Sequence, residues 1–399
     1  MTGGRPVAGV HSRMTSVAKR KALGQYFTTS TRLQEFIYNH VQNKGRPLLE
    51  PSVGAGHLLQ PFLTANAAYP ITAYEIDPAI NRLPLQPMQS PIIANFLTAE
   101  IEEQFDTIIG NPPFVKRKGQ PNLYIDFVRK CVDLLSPTGE LLFIVPSDFL
   151  KLTSAATLLQ SMVAKGAFTD FIFPNNEGLF AGAAIDVVGF RYQRGLDQSV
   201  TQAKVDGTPM HVRCNKGIIT FASTPATATG TNTIADRFNV YVGIVSGRDN
   251  IYKRDIGETD ILVDKDTVER FILPRSWPPA NPEIAAYLTT TKATLMERKI
   301  RKFNETNWWQ WGALRNITAI EAAIGQPCIY VRNMTRADEV AFVSTVQLFG
   351  GSLLCLIPKE PIAEEALAAA AAAINQKREE YLYSGRFKIG QKQVCYLAI

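Results

Sequence analysis

The chain has 399 residues, 46% hydrophobic and 20% charged, enough apolar sequence to bury the cores of two domains. A net charge of +6 suits a polyanionic partner, and no stretch is long and apolar enough to span a bilayer. Five cysteines (Cys131, Cys214, Cys328, Cys355, Cys395) lie scattered without a C-x-x-C pair, which argues against a zinc site or a disulfide framework and for a reducing, cytoplasmic setting; no metal and no membrane partner are expected.

Residues 1–21 carry Arg5, Arg13, Lys19, Arg20 and Lys21 without an acid and read as a basic, solvated tail. After Leu23-Gly-Gln-Tyr-Phe-Thr28, a helix is expected from about Arg32, with Leu33, Phe36, Ile37 and Val41 at helical spacing and Thr29, Ser30 or Thr31 as its cap. Residues 47–62 read as strand, glycine turn and helix. Gly54 and Gly56 allow a close approach of main chain to ligand, while the absence of a Gly-Lys-Ser/Thr excludes a P-loop. Glu50 would repel a pyrophosphate but accept an ammonium or hydroxyls, and His57, without metal-ligating neighbours, reads as a loop or surface residue. Residues 71–77 form a second strand ending in Glu75 and Asp77, at the distance where an acid reaches ribose hydroxyls in nucleotide-binding α/β folds. A third short strand is expected over 91–97, with Asn95 and Phe96 at its end.

Phe105-Asp-Thr-Ile-Ile-Gly110 reads as a buried strand that delivers Asn111-Pro112-Pro113-Phe114. The prolines forbid further pairing and stiffen a loop at the carboxyl end of the strand, where open α/β sheets bind ligands. Asn111 and the Pro112 carbonyl supply acceptors and Phe114 a flat apolar face, a set that suits a planar aromatic amine. Taken alone, the tetrapeptide fits a proline-stiffened surface turn equally well. An amphipathic helix over 124–135, stopped by 137–139, a buried strand over 140–145, a helix over 154–164 and strands over 168–173 and 185–192 complete a βα series, which implies a mostly parallel sheet. The loop 178–182 between the last two strands carries Phe180.

Beyond a small-residue linker at 222–233 the βα alternation is lost. Residues 240–249 read as strand and glycine turn. Trp308, Trp309, Trp311 and Arg315 form an aromatic and cationic mixture of the kind that contacts bases and phosphates, although such tryptophans also build cores. Ala363 to Glu380 reads as a helix.

The order of these motifs resembles the gamma-class, TaqI-like N6-adenine DNA methyltransferases of restriction–modification systems. The resemblance covers about residues 20–195 and rests on Gly24–Thr28, on Glu50 to Gly56, on Tyr74 to Asp77 and on Asn111 to Phe114. It implies a Rossmann-like S-adenosylmethionine-dependent methyltransferase domain over 22–221 and a mixed α+β target-recognition domain over 234–399. It further implies catalysis by Asn111, Pro112 and Phe114, with Phe180 as a second aromatic against the target base. Cofactor contacts are implied for Thr28, Glu50, Ser52, Gly54, Gly56, Glu75, Ile76, Asn95 and Phe96. Asn95 departs from the family, which usually has an acid there. DNA contacts are implied for Arg248, Trp311, Arg315, Arg386 and Lys388, and the partners are double-stranded DNA and a restriction endonuclease acting on the same site. Two other readings stay open: a protein glutamine N5-methyltransferase, whose side-chain amide resembles an adenine amine, and a catalytically silent specificity subunit.

Overall fold

The computed structural model describes residues 28–64, 69–80, 82–84, 90–116, 119–174, 186–223, 232–383 and 385–399. The chain divides into two compact units, Met1–Ala226 and Thr227–Ile399.

In the first unit the apolar runs become strands β1 (Leu48–Glu50), β2 (Ile71–Glu75), β3 (Ile92–Ile93), β4 (Phe105–Gly110), β5 (Leu135–Pro146), β6 (Gly166–Ile172) and β7 (Val187–Arg194). They continue in β8 (Gln202–Val205), β9 (Thr208–Asn215) and β10 (Ile218–Ala222). All ten form one sheet, ordered β3-β2-β1-β4-β5-β7-β6-β8-β9-β10. The run β3 to β5 is parallel throughout, and β7 enters antiparallel between β5 and β6. The chain order therefore reverses between β1 and β4, so their carboxyl ends flank the crevice where doubly wound sheets hold ligands.

Helix α1 (Thr31–His40) covers this sheet with Leu33, Phe36 and Ile37, which join Leu48, Ile109, Leu142 and Ile144 in one core. Burying each such side chain contributes about 1.5–3 kcal/mol. Ser30 stands at the cap position of α1 without a side-chain hydrogen bond. The lead-in is held instead by Gln34, whose Nε2 donates to the Thr28 carbonyl at 2.7 Å. The far end of α1 is tied by Glu140, which is fully buried. Its carboxylate accepts from the main-chain amides of Gln42 and Asn43, each at 2.8 Å, and from Arg191 Nε at 2.8 Å. Helices α2 (Gln60–Thr64), α3 (Leu123–Asp133) and α4 (Ala156–Lys165) complete the unit.

Three sequence expectations change. The strand expected over 91–97 shrinks to two exposed isoleucines, because the Asn95 side chain turns the chain by accepting from Leu97 N at 3.1 Å. Residues 137–139, expected to stop a helix, lie inside β5, whose pairing with β4 shifts register between Phe105 and Thr107. Strands β8 to β10 extend the sheet beyond Gly195, where a change of composition was read instead of further strands.

The second unit is α+β. Its main sheet is antiparallel and uses β11 (Phe238–Val242), β14 (Pro327–Arg332), β16 (Ala341–Thr345) and β17 (Leu353–Pro358) in the order β11-β17-β14-β16. A hairpin of β12 (Thr259–Asp264) and β13 (Thr267–Phe271) and a three-stranded sheet of β15 (Met334–Thr335), β18 (Leu382–Tyr383) and β19 (Arg386–Lys388) stand beside it. Among the described residues no helix is long and apolar enough to cross a membrane.

Candidate active site

Strand β4 ends at Gly110 and hands the chain directly to Asn111. Pro112 is buried, Val115 N donates back to the Pro113 carbonyl at 3.1 Å, and Leu123 N donates to the Val115 carbonyl at 2.9 Å. These bonds close a tight loop whose mouth is pinned to the start of α3. Phe114 is half-buried and sits edge-to-face on Tyr124, with ring centroids 6.1 Å apart at 82°. Tyr124 in turn meets Phe149, and Phe149 stacks on Phe190, so the aromatic loop rests on a continuous apolar column.

Two bonds bring the other motifs to this loop. Asn111 Nδ2 donates to Thr28 Oγ1 at 3.0 Å, and Ser52 Oγ donates to the Asn111 carbonyl at 3.5 Å. The loop bearing Ser52 follows β1. Gly54 and Gly56 hold φ of +53° and +88°, conformations that side chains with a Cβ disfavour. The turn is held to β2: Val53 N donates to the Tyr74 carbonyl at 2.9 Å and Gly54 N to Glu75 Oε2 at 2.8 Å. The other Glu75 oxygen accepts Asp77 N at 2.9 Å. Thr28, Glu50, Ser52, Gly54 and Asn111 thereby line one open pocket, together with Val53, Ala55, His57 and Leu58.

The pocket is acidic at its base. Glu50 is 1% exposed, and its Oε2 has no hydrogen-bond partner. Burial, with the Glu75 charge beside it, pushes the Glu50 carboxyl well above its ordinary range. A buried carboxyl with an unused oxygen at a ligand pocket is a seat for a cationic donor. His57, read from sequence as a loop or surface residue, belongs to the lining, and partial burial lowers its pKa, which keeps the imidazole neutral. The sequence signal was its place directly after Gly56. Ile76, just past β2, is an apolar side chain 53% exposed and available to a ring.

Other sequence candidates fall elsewhere. Asn95 is exposed, and its carbonyl oxygen is used by the turn to Leu97. The Phe96 ring is 2% exposed, stacked on Phe127 at 5.4 Å with Lys130 Nζ 4.8 Å from its centroid, so it is a core residue, and its main-chain carbonyl accepts from Lys130 Nζ at 2.6 Å. Phe180 lies outside the described residues. Trp311 is corrected: it is 3% exposed, packs on Tyr252 and Phe271, and donates Nε1–H to the Ile272 carbonyl at 2.9 Å, so its face is closed to a base. Trp308 and Trp309 share that core. Arg315 and Arg386 are exposed and Arg248 and Lys388 half-buried. The loop of Arg248 and the segment before Arg315 are brought together by a bridge between Val245 and Ala313. No group of three or more metal-ligating side chains converges among the described residues.

The strand order β3-β2-β1-β4-β5-β7-β6, with a glycine loop after β1, an acid after β2 and a polar loop after β4, gives the Rossmann-like fold of S-adenosylmethionine-dependent methyltransferase domains. Residues 10–180 match the family described as Eco57I restriction-modification methylase, and the resemblance of this unit to restriction–modification methyltransferases holds. The chain is 30% identical over 201 residues to the Type II methyltransferase M.HincII of Haemophilus influenzae, covering 45% of this chain and 38% of that protein. It is 33% identical over 178 residues to the Type II methyltransferase M.TthHB8I of Thermus thermophilus, covering 38% and 40%. The chain thus spans about two fifths of the length of these relatives. It is similar to a solved DrdV–DNA complex with a TM-score of 0.48 and 12% identity, over 89% of this chain and 51% of that one.

The residues present fit S-adenosylmethionine. The unused Glu50 oxygen suits its ammonium, the Glu75 carboxylate can accept ribose hydroxyls besides its two amide donors, and the glycine turn leaves room for close approach.

Proposed function

We propose that this chain methylates the N6 amino group of an adenine flipped out of duplex DNA, as the modification activity of a restriction–modification system. The observation that carries the reading is the Asn111 loop: a stiff Asn-Pro-Pro-Phe turn at the end of β4, bonded to Thr28 and Ser52 at the lip of the pocket. S-adenosylmethionine, when bound, supplies an electrophilic methyl group.

The chain's own residues do the rest. The amine of a purine is a weak nucleophile because its lone pair is delocalised into the ring. Acceptors from the Asn111 side chain and the Pro112 carbonyl draw on its two hydrogens and favour a pyramidal nitrogen with the lone pair free. This is stabilisation by preorganised dipoles and needs no covalent intermediate. Holding the amine in line supplies up to about 7–11 kcal/mol in favourable systems. Neither His57 nor a carboxylate is required as a general base, since the nitrogen becomes strongly acidic after transfer and its proton leaves to water.

Extrusion of the base costs roughly a few kcal/mol. Stacking on Phe114 returns about 1–3 kcal/mol. Contacts from the second unit to the duplex flanks, with Arg248, Arg315, Arg386 and Lys388 as candidates, must supply the remainder. The long second unit favours DNA over a protein glutamine, and the intact Asn111 loop favours catalysis over a silent specificity subunit.

The test is a duplex carrying 2-aminopurine at the target position. Its emission is expected to rise on binding to wild type and to rise much less with Phe114→Ala. An equal rise in both proteins would remove Phe114 from base capture, and no rise in either would remove base flipping from the account.

A further inference from the structure

Three segments of the second unit meet around one buried cation. The Arg298 side chain is 5% exposed. Its Nε donates to the Leu295 carbonyl at 2.8 Å, Nη1 to the Ser246 carbonyl at 2.8 Å and Nη2 to the Trp308 carbonyl at 2.5 Å. The guanidinium also lies 3.8 Å from the Phe303 ring centroid. None of these partners is a carboxylate, so the charge is solvated by main-chain dipoles but not neutralised. Its three charge-assisted hydrogen bonds to separate segments fix their geometry about the guanidinium.

What it fixes is the path of the next four residues. Lys299, Ile300, Arg301 and Lys302 are all exposed, between buried Arg298 and buried Phe303. Ile300 lies directly on two glycine segments: a Cβ added to Gly247 would stand 3.3 Å from its Cγ2, and one added to Gly312 only 2.7 Å. Those segments are themselves paired. Val245 and Ala313 exchange both main-chain bonds at 2.9 Å, and Gly312 N donates to the Ser246 carbonyl at 3.0 Å. Arg301 is steadied by bonds from Nη2 to Gln310 Oε1 at 2.8 Å and to the Trp311 carbonyl at 3.0 Å. The strip is built on packed main chain.

The strip carries three cations in four residues. Several exposed cations elsewhere in this unit meet acids, as in Lys253–Glu269, Lys265–Glu339 and Arg270–Asp260. Of the acids near it in sequence, Asp249 accepts from the Ser246 hydroxyl, Glu305 pairs with Lys292, and exposed Glu297 forms no ion pair with the strip among the described residues. Among the described residues, Arg248, Lys299, Arg301 and Lys302 form no ion pair. Arg248 and Arg301 are both close enough to repel Arg298. Cations gathered on a rigid base without an ion-pair partner fit a polyanion, and an aliphatic side chain left 42% exposed among them fits a partner with an apolar edge between its charges. Duplex DNA has both, with phosphates flanking sugars and base edges.

We propose that the Lys299–Lys302 strip, with Arg248 beside it, is a phosphate-binding surface for duplex DNA, and that Ile300 seats against the sugar and base edge between the contacted phosphates. The inference rests on the DNA reading above and adds to it the surface that holds one flank. Aliphatic side chains are used in this manner by proteins that deform a duplex, which base extrusion requires.

The experiment is the fluorescence anisotropy of a labelled duplex titrated with the full chain over a series of sodium chloride concentrations. The double variant Lys299→Gln/Lys302→Gln loses two phosphate contacts, so the slope of log K against log salt is expected to fall by about 2. Ile300→Glu puts an acid among the phosphates and is expected to weaken low-salt binding by more than about tenfold. Arg270→Gln, on a surface ion pair elsewhere, is expected to match wild type. Melting temperatures are measured alongside, to separate lost contact from lost folding. Folded variants that bind like wild type with an unchanged slope would overturn this surface alone. A wild-type chain that binds no duplex would overturn it together with the DNA reading.

Discussion

Asn111 and Thr28, 83 positions apart in sequence, are joined by a 3.0 Å hydrogen bond from the asparagine amide to the threonine hydroxyl. Thr28 is 4% exposed and is itself held by Gln34, one turn into α1. The orientation of the candidate catalytic amide therefore depends on the segment that leads into α1, not only on the loop that carries it. Thr28→Val keeps the shape and removes the acceptor. It is expected to lower the single-turnover methylation rate at saturating cofactor by about tenfold to a hundredfold, the scale of a misplaced reacting group. An unchanged rate would show that the bond does not orient Asn111.

Asn111→Ala removes the side-chain acceptor itself. Methyl transfer is expected to fall below detection, while equilibrium binding of S-adenosylmethionine, followed by calorimetry, survives, because the pocket walls at Glu50, Ser52 and Gly54 are untouched. Normal single-turnover methylation by this variant would remove Asn111 from the mechanism.

Glu50 makes pH a probe of the pocket. Its carboxyl is pushed well above the ordinary range by burial and by Glu75, so the unliganded folded state holds this proton more tightly than the unfolded chain does. By linkage, the associated stability is present at acid pH and is lost as pH rises from the ordinary carboxylate range through the raised value. A ligand ammonium needs the ionised form, so cofactor binding is expected to release a proton and to strengthen with pH across the same window. Glu50→Gln is expected to flatten the pH dependence of the unliganded melting temperature and to weaken cofactor binding. Identical pH profiles for wild type and variant would contradict this role.

Glu140 tests the scaffold apart from the chemistry. Its buried carboxylate joins α1 to β5 and to Arg191 on β7, at the opposite end of α1 from Thr28. Glu140→Ala leaves the Arg191 charge and two amides without their acceptor, and urea denaturation is expected to show a loss of about 3–5 kcal/mol. A loss under about 1 kcal/mol would match an exposed pair and would contradict the burial argument.

Much of the site was legible because it depends on short local signals in chain order. A strand that ends in a glycine or a proline pair declares where its carboxyl end lies. Two such ends, at Glu50 and Gly110, become neighbours once β1 pairs with β4. That explains how Thr28, Glu50, Ser52, Gly54 and Asn111 come to one pocket. The failures share a different cause. Trp311 sits in a sequence rich in aromatics and cations, yet its burial is decided by Tyr252 and Phe271, some 40 to 60 residues upstream. The strip after Arg298 was invisible for the same reason, since its supports at Ser246 and Trp308 are distant or masked by composition. The extension β8 to β10 did leave a local mark, the Asp206-Gly207 pair between β8 and β9, which is a hairpin signal.

The central claim is the reaction, and the most direct measurement is long-read sequencing of DNA from methylation-deficient cells expressing this chain, with nucleoside mass spectrometry alongside. The account predicts N6-methyladenine confined to one short sequence motif and absent with Asn111→Ala. Unmodified DNA from cells making folded protein that binds S-adenosylmethionine would contradict it and would point to a protein or RNA amine as the acceptor.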